Sequence, residues 1–355
     1  MLLNNKLNLN ILLIQFKAAG DIVLLTPVVK AIKKNFPNSK LTFMTNEKEV
    51  ILIKNFKLID TLFLIKKLTK NTIIDYLKYL KYNLSIFFQI RKNKYDVVID
   101  FINNPKSALI TLLSGSPVRI GRKGKRSFAY NKKIDIKTQD VNTVVRRLMH
   151  LSPLGIKPEF ISTELVLNKS DVLFAKKYLK SINIKSKAPV IFLAPNSPRS
   201  SRKWKAEYFI SVGKALIKKY NAEILLGWGP GEEEYTRFIS EGIGNNAIMI
   251  PPTSLMEMSA IIAKTDLIIT NDTGAKHFAN ALGVRSITIY GPTNPYVWND
   301  IDIKRNPFLR ADVPCIQCEK RVCPLEKHLC MEQVTPDMVM KLADSILKKN
   351  FFAKV

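Results

Sequence analysis

The chain has 355 residues, enough for two domains, and 46% of them are hydrophobic, which excludes a disordered chain. Its 56 Lys and Arg against 29 Asp and Glu leave a formal net charge of +27, a field that draws anions such as nucleic acid, lipid headgroups or phosphorylated sugars. No apolar run is long enough to span a bilayer. Residues 1–10 carry one lysine and no small-residue cleavage site, so they do not read as a secretory signal and a cytoplasmic protein is expected.

Ile11–Gln15 is an apolar run of strand length. A loop, Phe16-Lys17-Ala18-Ala19-Gly20-Asp21, follows, and then a helix from about Ile22 to Asn35 with Pro27 in its first turns. Leu41–Met44 and Val97–Asp100 are further strands. Strands separated by helices indicate a parallel, doubly wound sheet. Between them, Lys66–Lys94 mixes apolar and aromatic residues with eight basic residues and one acid, and Arg122–Lys133 adds six basic residues and no acid. Each stretch alone reads as a solvated helix face. Two in one half point to a surface for anionic lipid.

Ser181–Ala188 is polar and rich in lysine, as a domain edge is. We therefore expect a first domain over residues 1–184 and a second over 185–334. A final helix over 335–355 is expected to pack back on the first domain. The second domain repeats the alternation. Its strands are Val190–Ala194, Ala222–Leu226, Ala247–Ile250, Leu267–Thr270 and Ser286–Tyr290. Its helices are Ala206–Tyr220, Glu233–Glu241, Leu255–Ala263 and Gly274–Leu282. The fold class is α/β, with two Rossmann-like doubly wound domains.

Four loops that directly follow strands carry most of the chemistry: Pro195–Trp204, Gly227–Glu233, Asn271–Gly274 and Gly291–Pro295. In a parallel sheet such loops emerge at the carboxyl edge, where open α/β sheets bind ligands. Their residues suit a nucleoside diphosphate. Arg199, Arg202 and Lys203 supply positive charge. Thr273 and Gly274 open a helix whose free N–H groups favour phosphate. Glu232 or Glu233 can bind ribose hydroxyls or simply start a helix. Asp272 can hold sugar hydroxyls or cap the helix. His277, one of only three histidines, lies one turn further on. In the first half, Asp21 stands at another strand-to-helix loop, where it can cap the helix or face a cleft as a general base for a hydroxyl. Two such domains facing across a cleft are the GT-B architecture.

These segments together resemble glycosyltransferase family nine, the lipopolysaccharide heptosyltransferases, over nearly the whole chain. The resemblance rests on ILLIQFKAAGDIVLLTPVVKAIKKNFPNSKLTFMT (11–45), SALITLLSGSPVRIG (107–121), VVRRLMHLSPLGI (144–156), NDTGAKHFANALG (271–283) and YGPTNPYVW (290–298). The segment PCIQCEKRVCPLEKHLCM (314–331) is similar to a cysteine-bearing tail in the branch that includes heptosyltransferase II.

The resemblance implies an inverting, metal-independent transfer of a heptose from ADP-heptose to an anionic lipid A–inner-core acceptor. The enzyme would sit peripherally on the inner face of the cytoplasmic membrane, with no cofactor required and no nucleic-acid partner. Asp21 matches the catalytic base. Arg202 or Lys203 matches the phosphate contact, Glu232 the ribose acid, Thr273, Gly274 and His277 the diphosphate turn, and Asp272 a position near the donor sugar. Lys17 replaces a residue that is often serine in the family. With Arg119, Arg122 and Lys123 it is a candidate for acceptor contact. Asn142 stands where the family often has histidine.

Three alternatives stay open from the sequence. One is a GT-B transferase for another nucleotide sugar in surface-glycan assembly, and another is a sugar-nucleotide epimerase. The third is a zinc-bearing basic protein that binds nucleic acid, since Cys315, Cys318, Cys323 and Cys330 follow a Cys-x2-Cys-x4-Cys-x6-Cys pattern that can hold structural zinc; in a transferase the same four can hold a structural zinc, stay free thiols or form a late disulfide.

Overall fold

The computed structural model describes residues 8–66, 72–136, 141–184 and 188–352. Residues 67–71 of the basic stretch and 185–187 of the expected domain edge therefore lie outside the described residues. The chain divides into two compact units, Met1–Val166 and Leu167–Val355.

The first unit holds a six-stranded sheet: β1 (Asn10–Ile14), β2 (Lys40–Asn46), β3 (Thr61–Ile65), β4 (Val97–Asp100), β5 (Val118–Arg122) and β6 (Lys132–Ile134). The second holds β7 (Val190–Ala194), β8 (Glu223–Leu226), β9 (Ala247–Met249), β10 (Leu267–Asn271), β11 (Arg285–Tyr290) and β12 (Phe308–Arg310). The strand orders are β3-β2-β1-β4-β5-β6 and β12-β11-β10-β7-β8-β9. The pairings are parallel, for example Ile14 beside Met44 and Asp100, and Asn271 beside Ile289. Each order reverses direction beside its first strand, the arrangement of a Rossmann sheet, and each reversal opens a crevice at the carboxyl edge.

The strands are apolar because both faces are covered. In the second unit, Ile191, Leu193, Ile224 and Leu226 enter one core, while Phe192, Ala194, Leu225 and Ile268 enter the other. This alternation follows from the two-residue repeat of a strand. The helix Lys169–Ser181 buries Ala175 in the second of these cores. It therefore goes with the second unit, and the division falls after Val166 where residue 184 was expected. The final helix, Pro336–Phe352, was expected to lie on the first domain. It buries Val339, Ala343, Ile346 and Leu347 in the other core of the second unit.

The first helix also differs from expectation. It breaks into Ala19–Val23 and Thr26–Asn35. Pro27 has no N–H to offer the preceding turn, and the Thr26 hydroxyl donates to the Val23 carbonyl at 2.8 Å, so a new helix starts there. The short first piece leaves Asp21 at the carboxyl edge of β1.

On β5, Gly121 has a packing reason. A Cβ at this position would sit 2.5 Å from the Tyr130 ring. That ring lies over the strand so that its hydroxyl can donate to the buried Asp100 carboxylate at 2.7 Å. Burial raises the Asp100 carboxyl above its ordinary value, even with Asn103, Ser107 and Tyr130 donating to it. Gly121→Ala is expected to push the ring off and lower stability by about 1–3 kcal/mol. Urea denaturation read by tyrosine fluorescence and circular dichroism would measure the loss.

Candidate active site

In the second unit the four loops named above converge. Asn271, the last residue of β10, donates from Nδ2 to the Pro195 carbonyl at 2.7 Å and accepts the Trp204 N–H at 3.1 Å. Asn196 donates to the Thr236 hydroxyl at 2.8 Å, joining the first loop to the helix Glu233–Ile243. A Cβ on Gly291 would fall 3.0 Å from the Ser201 carbonyl and 2.5 Å from Met331 Sδ, so glycine lets the fourth loop lie directly on the first. Trp204 is fully buried, and its indole N–H donates to the Val334 carbonyl at 2.7 Å.

Asp272 is the centre of this convergence. Its carboxylate is buried and accepts from three protein donors: the Lys276 ammonium, the Thr293 hydroxyl at 2.7 Å and the Arg202 guanidinium at 2.9 Å. Lys276 is completely buried. It also donates to the Tyr290 hydroxyl at 2.6 Å and lies over that ring, 4.6 Å from its centroid. Burial alone would raise the Asp272 carboxyl. The Lys276 and Arg202 charges outweigh it and hold the group at about 2. A carboxylate has roughly four acceptor positions, and protein groups take three. The structure thus gives Asp272 the work of organising the turn.

The turn itself faces outward. Thr273 caps the helix Gly274–Ala281 with extended backbone, and its side chain makes no cap hydrogen bond. The first-turn N–H groups are therefore not closed by a capping side chain, as an anion site needs. Thr273, Gly274 and His277 are all half-buried. Around the turn, positive charge is crowded. Burial and then the neighbouring Arg202 and Arg321 charges hold the Arg199 guanidinium below its ordinary value. An anion placed there would relieve that repulsion. Lys203 lies 3.4 Å from the centroid of the Tyr235 ring. Burial lowers its ammonium, while the Glu232 charge acts the other way. Glu232 folds back to accept the Gly229 N–H at 2.9 Å, and Glu233 pairs with Arg237 at 2.5 Å on the surface.

In the first unit, Asp21 is held by a residue the sequence reading did not single out. Arg147 Nη2 meets Asp21 Oδ1 at 2.5 Å, and Nη1 donates to the Asp21 carbonyl at 2.8 Å. Oδ2 accepts the Ala18 N–H at 3.3 Å. The side chain of Asp21 keeps 28% of its surface, while Arg147 beneath it is nearly covered. Nearby, Asn142 caps its helix by accepting the Val144 N–H at 2.9 Å. The His150 ring tilts against Phe101, and burial drops it to about 4, which keeps it neutral. Lys17 is exposed on the same loop as Asp21.

Arg119 is half-buried, and its guanidinium donates to the Ser116 and Ala129 carbonyls at 2.8 and 3.1 Å. Arg122 is exposed, and Lys123 pairs with Asp135 at 3.0 Å. The Asp-x-Asp spacing at Asp300 and Asp302 closes a turn, with Asp300 accepting the Asp302 N–H at 2.8 Å.

The four cysteines are free thiols lining one cavity of about 150 Å³ beside Ser201 and Pro292. Burial, and then the charges of the other three, push the Cys330 thiol up to about 11. Yet among the described residues no group of three or more His, Cys, Asp or Glu side chains is arranged to hold a metal ion. The expected zinc ligand set does not fit as arranged, so no step is built on it.

Two Rossmann sheets, each with its crevice at the carboxyl edge, are the sheets of a GT-B fold. The match to the family model Glycosyltransferase family 9 (heptosyltransferase) over residues 84–329 shows that the chain belongs to that family. It is 28% identical over 358 residues to lipopolysaccharide heptosyltransferase 1 of Campylobacter coli, covering 95% of this chain and 99% of the relative. Its structure is similar to that of a family 9 glycosyltransferase from Veillonella parvula, with a TM-score of 0.82, 19% identity and coverage of 96% and 97% of the two chains. It is also similar to E. coli ADP-heptose lps heptosyltransferase II, with a TM-score of 0.77, 17% identity and coverage of 96% and 99%. Family membership overturns the epimerase and nucleic-acid alternatives.

The Asp272 cluster has a measurable consequence. Because the folded carboxyl sits at about 2, below its ordinary 3.8, it contributes stability that is complete above 3.8 and lost as pH falls toward 2. Lys276→Met removes one counter-charge and is expected to cost about 3–5 kcal/mol at neutral pH. Acid unfolding should also begin at a less acidic pH. Tryptophan fluorescence across a pH series for both proteins checks this.

Proposed function

We propose that this chain transfers a heptose from ADP-heptose to the phosphorylated inner core of lipopolysaccharide, with inversion at the anomeric carbon. The names of the relative and of the structural neighbour support this donor and acceptor. The observation that carries the reading is the Asp21–Arg147 pair at the carboxyl edge of β1.

In this reading Asp21 is the base. Arg147 fixes its orientation through Oδ1, and the carboxylate takes the proton of an acceptor hydroxyl. The hydroxyl oxygen forms a bond to the anomeric carbon on the face opposite the diphosphate. The old bond from that carbon to the diphosphate oxygen breaks, and ADP leaves. The leaving charge is met by the N–H groups at Thr273 and Gly274, with Lys203 and Arg199 around them and His277 one turn on. Arg202 contributes its field while holding Asp272. Protein cations carry this stabilisation, so the reading needs no metal ion. Glu232, beside Lys203, is the ribose contact. Lys17, Arg122 and Lys123 are basic groups of the first unit suited to an acceptor with phosphates. The acceptor's lipid places the enzyme at the inner face of the cytoplasmic membrane.

The test is ADP release from ADP-heptose with a heptose-deficient lipopolysaccharide acceptor. Asp21→Asn should lower kcat by about a hundredfold or more while ADP-heptose binding by calorimetry persists. Arg147→Lys keeps the charge but loses the fork, and should lower kcat by roughly tenfold with donor affinity unchanged. Undiminished turnover in Asp21→Asn would remove it as the base. Release with another nucleotide sugar and none with ADP-heptose would replace the donor.

A further inference from the structure

The helix Ile73–Lys92 is turned the unusual way round. It buries only Ile86 and Ile90 on its inner side, against the core of the first unit. The face toward water is apolar. Ile73, Leu77, Leu80, Leu84 and Phe88 recur at steps of four, three, four and four residues, so they form one stripe. Their exposures are 82%, 59%, 44%, 56% and 73%. An ordinary surface helix shows charged residues there. Scattered exposed leucines need no explanation, but a continuous row marks an interaction site.

The charge beside the stripe says what covers it. At 100° per residue, Lys78, Lys81 and Lys92 fall along one flank, and Arg91 ends the row. All four are exposed. The one acid of the helix, Asp75, accepts the Thr72 N–H at 3.2 Å in the N-terminal cap, away from the stripe. The neighbouring helix Pro105–Leu113 leaves Leu109, Leu112 and Leu113 partly in water. It is tied to this one by Lys106, which lies over the rings of Tyr79 and Tyr82.

We propose that this face is a docking surface for an anionic lipid bilayer. The helix would lie in the plane of the membrane. Its stripe would sink about 5–10 Å to the level where headgroups meet acyl chains, and its lysines would meet lipid phosphates. A second copy of the chain is a poorer occupant, because pairing stripe to stripe would crowd the lysine rows of a chain already carrying +27. Crossing the membrane is not involved: among the described residues no helix is long and apolar enough. The surface gives a physical partner to the reading of a lipid-borne acceptor and rests on it only for its purpose. The binding needs neither donor nor acceptor.

The full chain would be sedimented with vesicles of phosphatidylcholine alone, or of phosphatidylcholine with phosphatidylglycerol, at low and high salt. Binding is expected to the anionic vesicles, weakening with salt. The double change Leu77→Ser with Leu84→Ser should weaken it about tenfold or more. Lys81→Glu with Lys92→Glu should remove the preference for anionic lipid. These side chains are exposed, so the melting temperature should hold in both variants. Equal weak binding to both vesicle types, or full binding by both variants, would overturn the proposal. So would a concentration-dependent dimer, lost in the leucine variant, from a protein that ignores vesicles. Vesicle binding without turnover of ADP-heptose would sink the donor assignment and leave this surface standing. Turnover on delipidated acceptor without vesicle binding would do the reverse.

Discussion

A lysine with no solvent exposure is the constraint on which the second unit depends. Burying an ammonium is costly unless a counter-charge and hydrogen bonds meet it. Lys276 finds Asp272 one helical turn back and the Tyr290 hydroxyl at the end of β11. Asp272 then has to balance Lys276, Arg202 and Thr293 at once. Through these partners one buried charge ties together the Pro195–Trp204 loop, the Asn271–Gly274 turn and the Gly291–Pro295 loop. The result is a rigid floor beneath a helix terminus that no side chain caps. Such a floor fits a site whose task is to hold a diphosphate in one place while a bond to it breaks.

The first unit solves a similar problem with one ion pair. Arg147 is nearly covered, and its guanidinium is answered by a single carboxylate and a backbone carbonyl, both from Asp21. Burial lowers this guanidinium, and the Asp21 charge opposes the shift. The two units therefore share a plan. In each, an aspartate at a helix start after a strand meets a buried cation, Arg147 from 126 residues away in the first unit and Lys276 from the next helical turn in the second.

Much of this was legible in the sequence. Buried parallel strands such as Val190–Ala194 and Leu267–Asn271 are plain apolar runs, and the loops behind them carry their chemistry openly. The strands β5, β6 and β12 escaped because they are short or charged, as in Val118-Arg119-Ile120-Gly121-Arg122. Only pairing with a neighbour makes them strands. The strand β3 escaped too, although it is a plain apolar run, Thr-Leu-Phe-Leu-Ile, beside the basic stretch. Lys276 had a local signal, an acid and a base four apart at the start of a helix, which was passed over in favour of the adjacent His277. Arg147 had none, since 126 residues separate it from Asp21. The domain edge was drawn by polarity at Ser181–Ala188. What assigns the preceding helix to the second unit is Ala175 in its core, a tertiary fact.

The three tryptophans, Trp204, Trp228 and Trp298, all lie beyond Val166. Trp204 is bonded to Asn271 and to the Val334 carbonyl, and the Trp228 indole donates to the Ile250 carbonyl at 2.7 Å. The first unit has tyrosine and phenylalanine but no tryptophan. Excitation at the red edge of the protein absorption band therefore reports on one unit alone, beside the loops that follow its strands. Tyrosine emission and circular dichroism report on both units, since five of the eleven tyrosines lie in the first and six in the second. The second unit thus carries an optical signal of its own, and a circular-dichroism transition that the tryptophans do not follow belongs to the first.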